Sequence, residues 1–118
     1  QGQVNSETVN GRQYSGIGGQ LDHVRGAQIS EGGKSIIALN STAKNDTISK
    51  IVPYFHPGNI TTVPRYDVDY IVTEYGIAEL RYKTVRQRAE SLIAIAHPIF
   101  RDELFAKAKE MGLIPVTV

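Results

Sequence analysis

The segment Tyr14–Asp22 holds the residues of this chain that are best suited to bind an anion or to stabilise negative charge. It contains Gly16, Gly18 and Gly19 within four positions. Because glycine has no Cβ, such a loop adopts positive φ values and lets a ligand approach the main chain closely. A helix is predicted to follow, and its first N–H groups are unpaired and carry a partial positive charge. Two interpretations remain open: a tight structural turn, or a site for a phosphate or for a reaction oxyanion.

The glycine loop lacks the spacing of the common nucleotide-binding motifs. A dinucleotide fingerprint requires a glycine three positions after Gly18, where this chain has Leu21. The segment Gly33–Ser35 matches the end of a P-loop, but the glycine that the motif requires earlier falls at Gln28. Generic nucleotide binding is therefore disfavoured.

Three charged residues near predicted strand ends are further candidates. Glu74 follows the best-defined strand and precedes Tyr75, at a place where α/β folds often carry functional groups. Its alternative roles are a structural ion pair or an acid near the start of a helix. Arg65 and Lys34 are candidates for holding phosphates, and a solvated surface charge is the alternative for each.

The sequence gives little support for a metal site or for a serine or cysteine nucleophile. His23, His56 and His97 lack the spacing of metal ligands, so we predict no metal site. A Ser-His-Asp triad is disfavoured because no G-x-S-x-G elbow occurs. The chain has no cysteine, which excludes disulfides, thiolate nucleophiles and cysteine-based zinc sites and fits a cytoplasmic location.

Length and composition indicate one globular domain over residues 1–118. The chain has 118 residues, of which 41% are hydrophobic and 21% charged, enough for one domain with a core. Its net charge of +1 gives no case for a nucleic-acid or membrane partner. No apolar run approaches the roughly 20 residues that span a bilayer. Since the chain begins at Gln1 and its only methionine is Met111, we expect a piece of a longer protein.

The pattern of apolar residues and turn formers predicts an α/β domain with a central sheet, flanking helices and helices at the C-terminal end. An edge strand with a turn at Asn10–Gly11 is predicted before the glycine loop. The other predicted elements are a helix over about 21–28, a turn at 31–33, a buried strand at 35–39, a polar loop at 44–46, strands at 51–55, 60–63 and 70–73, a turn at 56–59, a helix from a capping box of Thr84 and Gln87 to Ala96, and a last helix ending at Gly112.

Several segments, in order along nearly the whole chain, resemble the C-terminal domain of the acetyl-CoA hydrolase/transferase family. This family includes 4-hydroxybutyrate and butyryl-CoA:acetate CoA-transferases. The matching segments are Gly2–Glu7, Gly16–Asp22, Gly32–Ser35, Asp67–Ala78 and Ala94–Pro98. His23 departs from the family pattern, in which a phenylalanine commonly follows the Leu-Asp pair. The resemblance implies a CoA-transferase-like α/β fold.

The resemblance also implies covalent catalysis by a glutamate. In this family a glutamate attacks an acyl-CoA thioester to form an acyl-glutamyl anhydride, which the released CoA thiolate converts to a glutamyl-CoA thioester. A second carboxylic acid then collects the CoA, and in hydrolases water takes that place. The motif of the nucleophile lies upstream of the glycine loop in the family, and Glu7 belongs to a different motif. We therefore assign no catalytic nucleophile in this chain.

The family mechanism gives the glycine loop an expected role. The N–H groups of Gly18 and Gly19 would face the thioester and stabilise the tetrahedral oxyanion, and Gly16, Gln20 and Lys34 complete the expected CoA-binding residues. CoA and acyl-CoA are expected as substrates, with no permanently bound cofactor.

The expected partners are acyl-CoA, a small carboxylic acid, the missing N-terminal half of the same enzyme and further copies in a homo-oligomer. Three alternatives remain: an acetyl-CoA hydrolase, a CoA- or nucleotide-binding module without catalysis, and a structural domain that docks on a catalytic half. The acyl group and the acceptor acid stay open. We expect the fragment alone to have no transferase activity.

Overall fold

A run of β-branched and aromatic residues in the middle of the chain forms the centre of a three-stranded sheet. The computed structural model describes residues 1–116. The strands are β1 Thr8–Val9, β2 Arg12–Gln13, β3 Ile36–Ala38, β4 Thr42–Ala43, β5 Ile48–Ser49, β6 Tyr70–Thr73 and β7 Gly76–Glu79, and the helices are α1 Gln20–Ile29, α2 Val85–Ile95 and α3 Pro98–Glu110. The α/β class predicted from the sequence is confirmed.

Strand β6 lies between β3, which runs parallel to it, and β7, which runs antiparallel. The pairs β1–β2 and β4–β5 form separate two-stranded hairpins. On one face of the main sheet, Ile71 and Ala78 are buried and join Ile95 of α2 in the core. On the other face, Ile36 and Ile77 remain 60% and 69% exposed. The described residues thus cover one face of the sheet and leave apolar side chains on the other.

The core centres on Leu80 and Val63, both 0% exposed. Leu80 follows β7, and Val63 forms an isolated antiparallel bridge with Val4 near the start of the chain. A second, smaller cluster of Ala89 and Ala108 joins α2 to α3. The core therefore connects the N-terminal segment, the sheet and α2.

The two C-terminal helices form as their end signals predict. Thr84 caps α2 with a complete capping box to Gln87. At the start of α3, the His97 side chain accepts the Ile99 N–H, and Pro98 occupies the first turn. Gly112, at φ +74°, follows the end of α3. These boundaries are confirmed.

Two turns need glycine for different reasons. The predicted turn at Asn10–Gly11 joins β1 to β2, and both residues have positive φ, 50° and 77°. In the predicted turn at 31–33, a Cβ on Gly33 would collide with the Ala27 carbonyl and the Ser30 hydroxyl.

Several strand predictions were wrong or incomplete. No strand forms at 51–55, where Pro53 lacks an N–H donor and the segment borders a groove instead. The segment 60–63 contributes only the Val63 bridge. The strand predicted to be buried at 35–39 exists as β3, but no described strand pairs with its outer edge. Ile36 is exposed because its side chain lies on the uncovered face of the sheet. The short strands β4 and β5 and the strand β7 were missed.

Candidate functional site

The glycine loop leads directly into the N-terminus of α1. Gly19 is the N-cap residue, with φ −105° and ψ 15°, and no side chain caps the helix. Gly18 has φ +63°, a conformation that glycine adopts without strain. Within residues 1–116, the N–H groups of Gly18 and Gly19 donate to no backbone acceptor, whereas the Gly19 carbonyl accepts the His23 N–H at 3.0 Å. The loop thus presents unpaired donors at the positive end of a helix.

The space over the loop is open to a ligand. A Cβ on Gly16 or on Gly18 would meet no atom within 4 Å. A Cβ on Gly19 would meet only the His23 ring, at 3.5 and 3.6 Å, which is ordinary contact. Since the φ of Gly19 is negative, the backbone also tolerates a side chain there. Substitution of Gly19 therefore changes access to the loop more than it changes the fold.

Glu7 anchors the start of the loop, and the sequence patterns assigned it no such role. Its carbonyl accepts the Tyr14 N–H at 2.8 Å. Its carboxylate accepts Gln13 Nε2 at 2.9 Å and Thr62 Oγ1 at 2.7 Å. Gln13 Nε2 also donates to the Ser15 carbonyl at 2.6 Å. The hydroxyl of Thr62 and the amide of Gln13 favour the ionised form and lower the pKa of Glu7.

Helix α1, which carries the loop, packs on the main core through Val24 and the half-buried Leu21 and is also held by polar contacts. Val24 is its only buried residue. Arg25 makes a bidentate pair with Asp67, with Nε–Oδ1 at 3.0 Å and Nη2–Oδ2 at 3.2 Å. Gln28 Nε2 donates to the Asp67 carbonyl at 2.6 Å. The position of the loop therefore depends on Asp67, which precedes the central strand.

Gln20 joins the loop to two open grooves. It is the first residue of α1, and its Oε1 atom is buried and without a hydrogen-bond partner among residues 1–116. The larger groove, of about 940 Å³, runs between the segment 1–6, the end of β3 and the segment 50–56. The sequence resemblance included Gly2–Glu7, but it gave no sign that this segment and 50–56 face each other across a groove.

Lys34 lies at the other end of α1 from the glycine loop. Helix α1 has ten residues and is therefore about 15 Å long. Lys34 follows the turn after this helix and lines a smaller groove of about 660 Å³, whose far end is formed by Gln20. Of the predicted CoA-binding residues, Gly16, Gly18, Gly19 and Gln20 follow one another along the loop and the start of α1, and Lys34, near the other end of α1, lines the smaller groove together with Gln20.

Glu74 makes a structural contact. It lies in the two-residue turn between β6 and β7, and its Oε1 atom accepts the Ser41 N–H at 2.7 Å. This hydrogen bond from the main chain lowers the pKa of Glu74. The contact ties the end of β3 to the β6–β7 hairpin. Arg65 lines neither groove, and its carbonyl accepts Arg88 Nη1 at 2.8 Å.

The three histidines have separate surroundings. His97 caps α3, His23 lies beside Gly19, and His56 Nδ1 is 2.8 Å from the Pro57 carbonyl. In the described part of the chain, no three His, Cys, Asp or Glu side chains form a group that could hold a metal ion. In the same residues, no helix has the length and apolar character needed to cross a membrane.

The matches to known proteins cover almost the whole chain. Residues 1–108 match the family described as Acetyl-CoA hydrolase/transferase C-terminal domain. The succinyl-CoA:cyclohexane-1-carboxylate CoA transferase of Geobacter metallireducens is 57% identical over 113 residues, which are 96% of this chain and 26% of that protein. The chain thus spans about a quarter of the length of that relative.

Solved structures share the fold. The crystal structure of RipA from Yersinia pestis superposes with a TM-score of 0.87 at 51% identity, over 95% of this chain and 25% of that one. A 4-hydroxybutyrate CoA-transferase from Porphyromonas gingivalis gives a TM-score of 0.69 at 53% identity, over 79% of this chain and 22% of that one. The expected CoA-transferase-like fold is confirmed.

Proposed function

The chain belongs to the acetyl-CoA hydrolase/transferase family, matching its C-terminal domain, and from this premise we propose that it is the C-terminal part of an acyl-CoA:carboxylate CoA-transferase. The observation that carries the proposal is the open glycine loop, whose N–H groups lie unpaired at the N-terminus of α1. The expected substrates are an acyl-CoA and a small carboxylic acid, of the 4-hydroxybutyrate, butyrate or acetate type, in the cytoplasm.

The proposed reaction forms covalent intermediates of two kinds, anhydride and thioester, on a glutamate outside this chain. The glutamate carboxylate attacks the thioester carbonyl, and the tetrahedral oxyanion collapses with release of CoA thiolate, which leaves an acyl-glutamyl anhydride. The thiolate attacks the glutamyl carbonyl of this anhydride, releases the first carboxylate and forms glutamyl-CoA. The acceptor carboxylate then runs the same two steps in reverse and leaves as its CoA thioester.

In this scheme, the N–H groups of Gly18 and Gly19 donate to the oxyanion. Donors that are fixed before the reaction stabilise developing charge without reorganising. Gly16 leaves space for the thioester to approach, and the orphan Oε1 of Gln20 is an acceptor for an N–H or O–H of the CoA arm. Lys34, at the far end of α1, supplies a positive charge for the CoA phosphates.

Substitution of Gly19 tests this role in the full-length enzyme. We expect Gly19→Val to reduce the transfer rate by about 10²-fold or more, the size of effect seen when one oxyanion donor is lost. Its unfolding temperature should stay close to that of the wild type, because the φ of Gly19 and its surroundings accept a side chain.

The matched control is Gly26→Val, the same substitution on the same helix at a position with no atom within 4 Å of an added Cβ. Transfer should persist in this variant. Normal turnover by Gly19→Val would show that the glycine loop takes no part in the reaction.

Mass spectrometry locates the nucleophile. After incubation of the full-length enzyme with acyl-CoA, we expect a CoA adduct on a glutamate outside residues 1–118, and we expect none on the isolated chain. An adduct on a glutamate of this chain would contradict the assignment. Release of free acid without an acceptor carboxylate indicates the hydrolase alternative, and tight CoA binding by the isolated chain in calorimetry indicates the binding-module alternative.

A further inference from the structure

The buried guanidinium of Arg88 pairs with no carboxylate among residues 1–116. Arg88 lies on α2 and is 9% exposed. None of the ion pairs between described side chains includes it. Burial and, to a smaller extent, the charge of Arg65 lower the pKa of Arg88 below its ordinary value. A buried cation without a counter-charge is costly, so its presence indicates hydrogen bonds that an apolar side chain could not make.

The guanidinium holds main-chain carbonyls of three separate segments. Its Nη1 donates to the Gln1 carbonyl at 3.0 Å and to the Arg65 carbonyl at 2.8 Å. Its Nε donates to the Lys83 carbonyl, just before α2, at 3.4 Å. A Cβ on Gly2 would lie 3.3 Å from Nη1, so the backbone at Gly2 also passes close to the guanidinium. A single nitrogen thus joins two segments that are far apart in the chain.

The first of these segments leads to one anchor of the glycine loop. It runs from Gln1 through Val4, whose N–H donates to the Val63 carbonyl at 3.0 Å, to Glu7. The Glu7 carbonyl accepts the Tyr14 N–H at 2.8 Å, at the start of the loop. The place of the Gln1 carbonyl therefore helps to set where the loop begins.

The second segment carries the other anchor. Asp67 follows Arg65 by two residues, and its N–H donates to the Pro64 carbonyl at 3.0 Å, which closes a turn over 64–67. The Asp67 carboxylate pairs with Arg25 of α1. The turn that Arg88 binds is thus the turn that holds the helix behind the glycine loop.

These contacts depend on the shape of arginine as well as on its charge. The planar guanidinium fixes the directions of its N–H donors, so that one nitrogen can serve two carbonyls. A lysine side chain ends one bond before the position of Nη1 and lacks this fixed geometry. A lysine at position 88 would keep the charge but lose the joint contact with Gln1 and Arg65.

We propose that Arg88 is a positioning residue for the transfer reaction: by binding the carbonyls of Gln1 and Arg65 together, it aligns the two anchors of the glycine loop with each other. This inference rests on the proposed function, in which the N–H groups of the loop stabilise the oxyanion. Arg88 touches no substrate in this role and acts through Glu7 and Asp67.

Two variants of the full-length enzyme remove the joint contact by different routes. Arg88→Lys keeps the positive charge and loses the reach. Arg88→Met replaces the guanidinium by an apolar chain and leaves no buried charge, so a folded variant is available even where a buried lysine is not tolerated. The matched control is Arg86→Lys, the same substitution on the same helix in an exposed arginine that pairs with Glu90.

The rate of CoA transfer is the first measurement. We expect both Arg88 variants to lower kcat by about 10-fold or more and to change the KM for acyl-CoA by less than about 2-fold, because misaligned donors lose transition-state stabilisation and not ground-state binding. Arg86→Lys should leave both constants unchanged. An unchanged kcat in the Arg88 variants, with or without a raised KM, would overturn the proposal.

Hydrogen exchange of single amides separates alignment of the loop from stability of the whole protein. The Tyr14 amide reports on the loop, and the Leu39 amide, which donates to the Val72 carbonyl at 2.9 Å, reports on the sheet. We expect the Arg88 variants to speed exchange at Tyr14 by about 10-fold or more and at Leu39 by less than about 2-fold. Equal acceleration of both amides would show that Arg88 serves only global stability and would overturn the proposal.

The exchange measurement does not depend on activity. Faster exchange at Tyr14 in the variants of an enzyme whose wild type transfers no CoA would refute the proposed function and leave the alignment by Arg88 standing.

A double-mutant cycle with Glu7→Gln supplies an independent test. Because Arg88→Lys and Glu7→Gln both release the same loop, we expect the double variant to lose less kcat than the product of the two separate losses. Losses that multiply would mean that the two residues act independently, and the proposed route from Arg88 through Glu7 would be wrong.

Discussion

Glu7 holds the start of the glycine loop through both its carboxylate and its main-chain carbonyl. It binds Gln13 and Thr62, and its own carbonyl holds Tyr14. Both side-chain bonds favour the charged form and lower the pKa of Glu7 below its ordinary value. The folded state therefore binds fewer protons than the unfolded state, and the contribution of Glu7 to stability rises with pH.

This gives a prediction for Glu7→Gln in the full-length enzyme. Above the usual glutamate pKa of about 4.3 the contribution of the carboxylate is fully present, and it is lost as the pH falls through the lowered pKa of the folded state. We expect the Tyr14 amide to exchange faster in the variant than in the wild type at about pH 7. The two rates should converge as the pH falls below the lowered pKa of folded Glu7, where the carboxylate becomes protonated.

The control for this experiment is Glu31→Gln, which removes an exposed turn carboxylate that accepts no hydrogen bond from the described residues. It should leave the Tyr14 exchange rate unchanged across the range. A constant ratio between Glu7→Gln and wild type at every pH would show that the charge of Glu7 does not hold the loop.

The glycines of the loop could be predicted from the sequence, but their anchor could not. A cluster of Gly16, Gly18 and Gly19 before a helix is a local pattern, so its conformation follows from neighbouring residues alone. The role of Glu7 depends on Thr62, 55 positions away, and only the folded chain brings these two residues together. The same holds for Glu74, whose partner Ser41 is 33 positions away.

Among the helices and strands, α2 has the start that its own sequence specifies most completely. Thr84 Oγ1 accepts the Gln87 N–H at 3.2 Å, and Gln87 Oε1 accepts the Thr84 N–H at 2.9 Å. The helix packs on β6 and β7 through Ile95, so its stability contributes to that of the sheet.

We expect Thr84→Ala to destabilise the protein by about 1 kcal/mol, since it removes an N-cap acceptor. Denaturant unfolding measures the change. Thr61→Ala removes the same atoms from an exposed residue without a described hydrogen bond, and it should have little effect. Equal effects of the two variants would mean that the capping box contributes nothing beyond the loss of a threonine.

The helices could be predicted well because helical periodicity and caps lie within a few residues of each other. The strands were predicted less well than the helices, and the reason is physical. The hairpin strands β4 and β5 have two residues each, too few to show an alternating pattern. Strand β7 begins at Gly76, which looked like the end of the preceding strand, and only its pairing with β6 defines it.

At the scale of the whole molecule, one core joins the N-terminal segment to the sheet and to α2. Leu80 is fully buried, and a Cβ on Gly2 would come within 2.8 Å of Leu80 Cδ1. We expect Leu80→Ala to lower the free energy of unfolding by roughly 2–5 kcal/mol, the usual cost of such a cavity.

The matched control is Ile77→Ala, three residues earlier and 69% exposed. Its effect should stay within about 0.5 kcal/mol, as for most surface substitutions. A large effect at Ile77 in the full-length enzyme would show that this face of the sheet is covered by another part of the protein.

The α/β class and the helices at the C-terminal end could be predicted from local patterns, whereas the larger groove could not. Its walls come from the segments 1–6, 37–39 and 50–56, which are far apart in the chain. The exposure of β3 was missed for a related reason. An apolar run has the composition of a buried strand, and no pattern within the run reveals whether a neighbouring strand is present.

The attachment of α1 through Asp67 has a consequence for how the full-length enzyme responds to ionic strength. The Arg25 side chain in this ion pair is 54% exposed, so counterions reach it, and screening acts over about 8 Å at 0.15 M salt. Apolar packing would not weaken in this way. Added salt therefore loosens the helix that carries the loop, in addition to weakening attraction for a charged ligand. A salt titration of turnover reports both events, and Arg25→Ala, which removes the ion pair at every salt concentration, separates them.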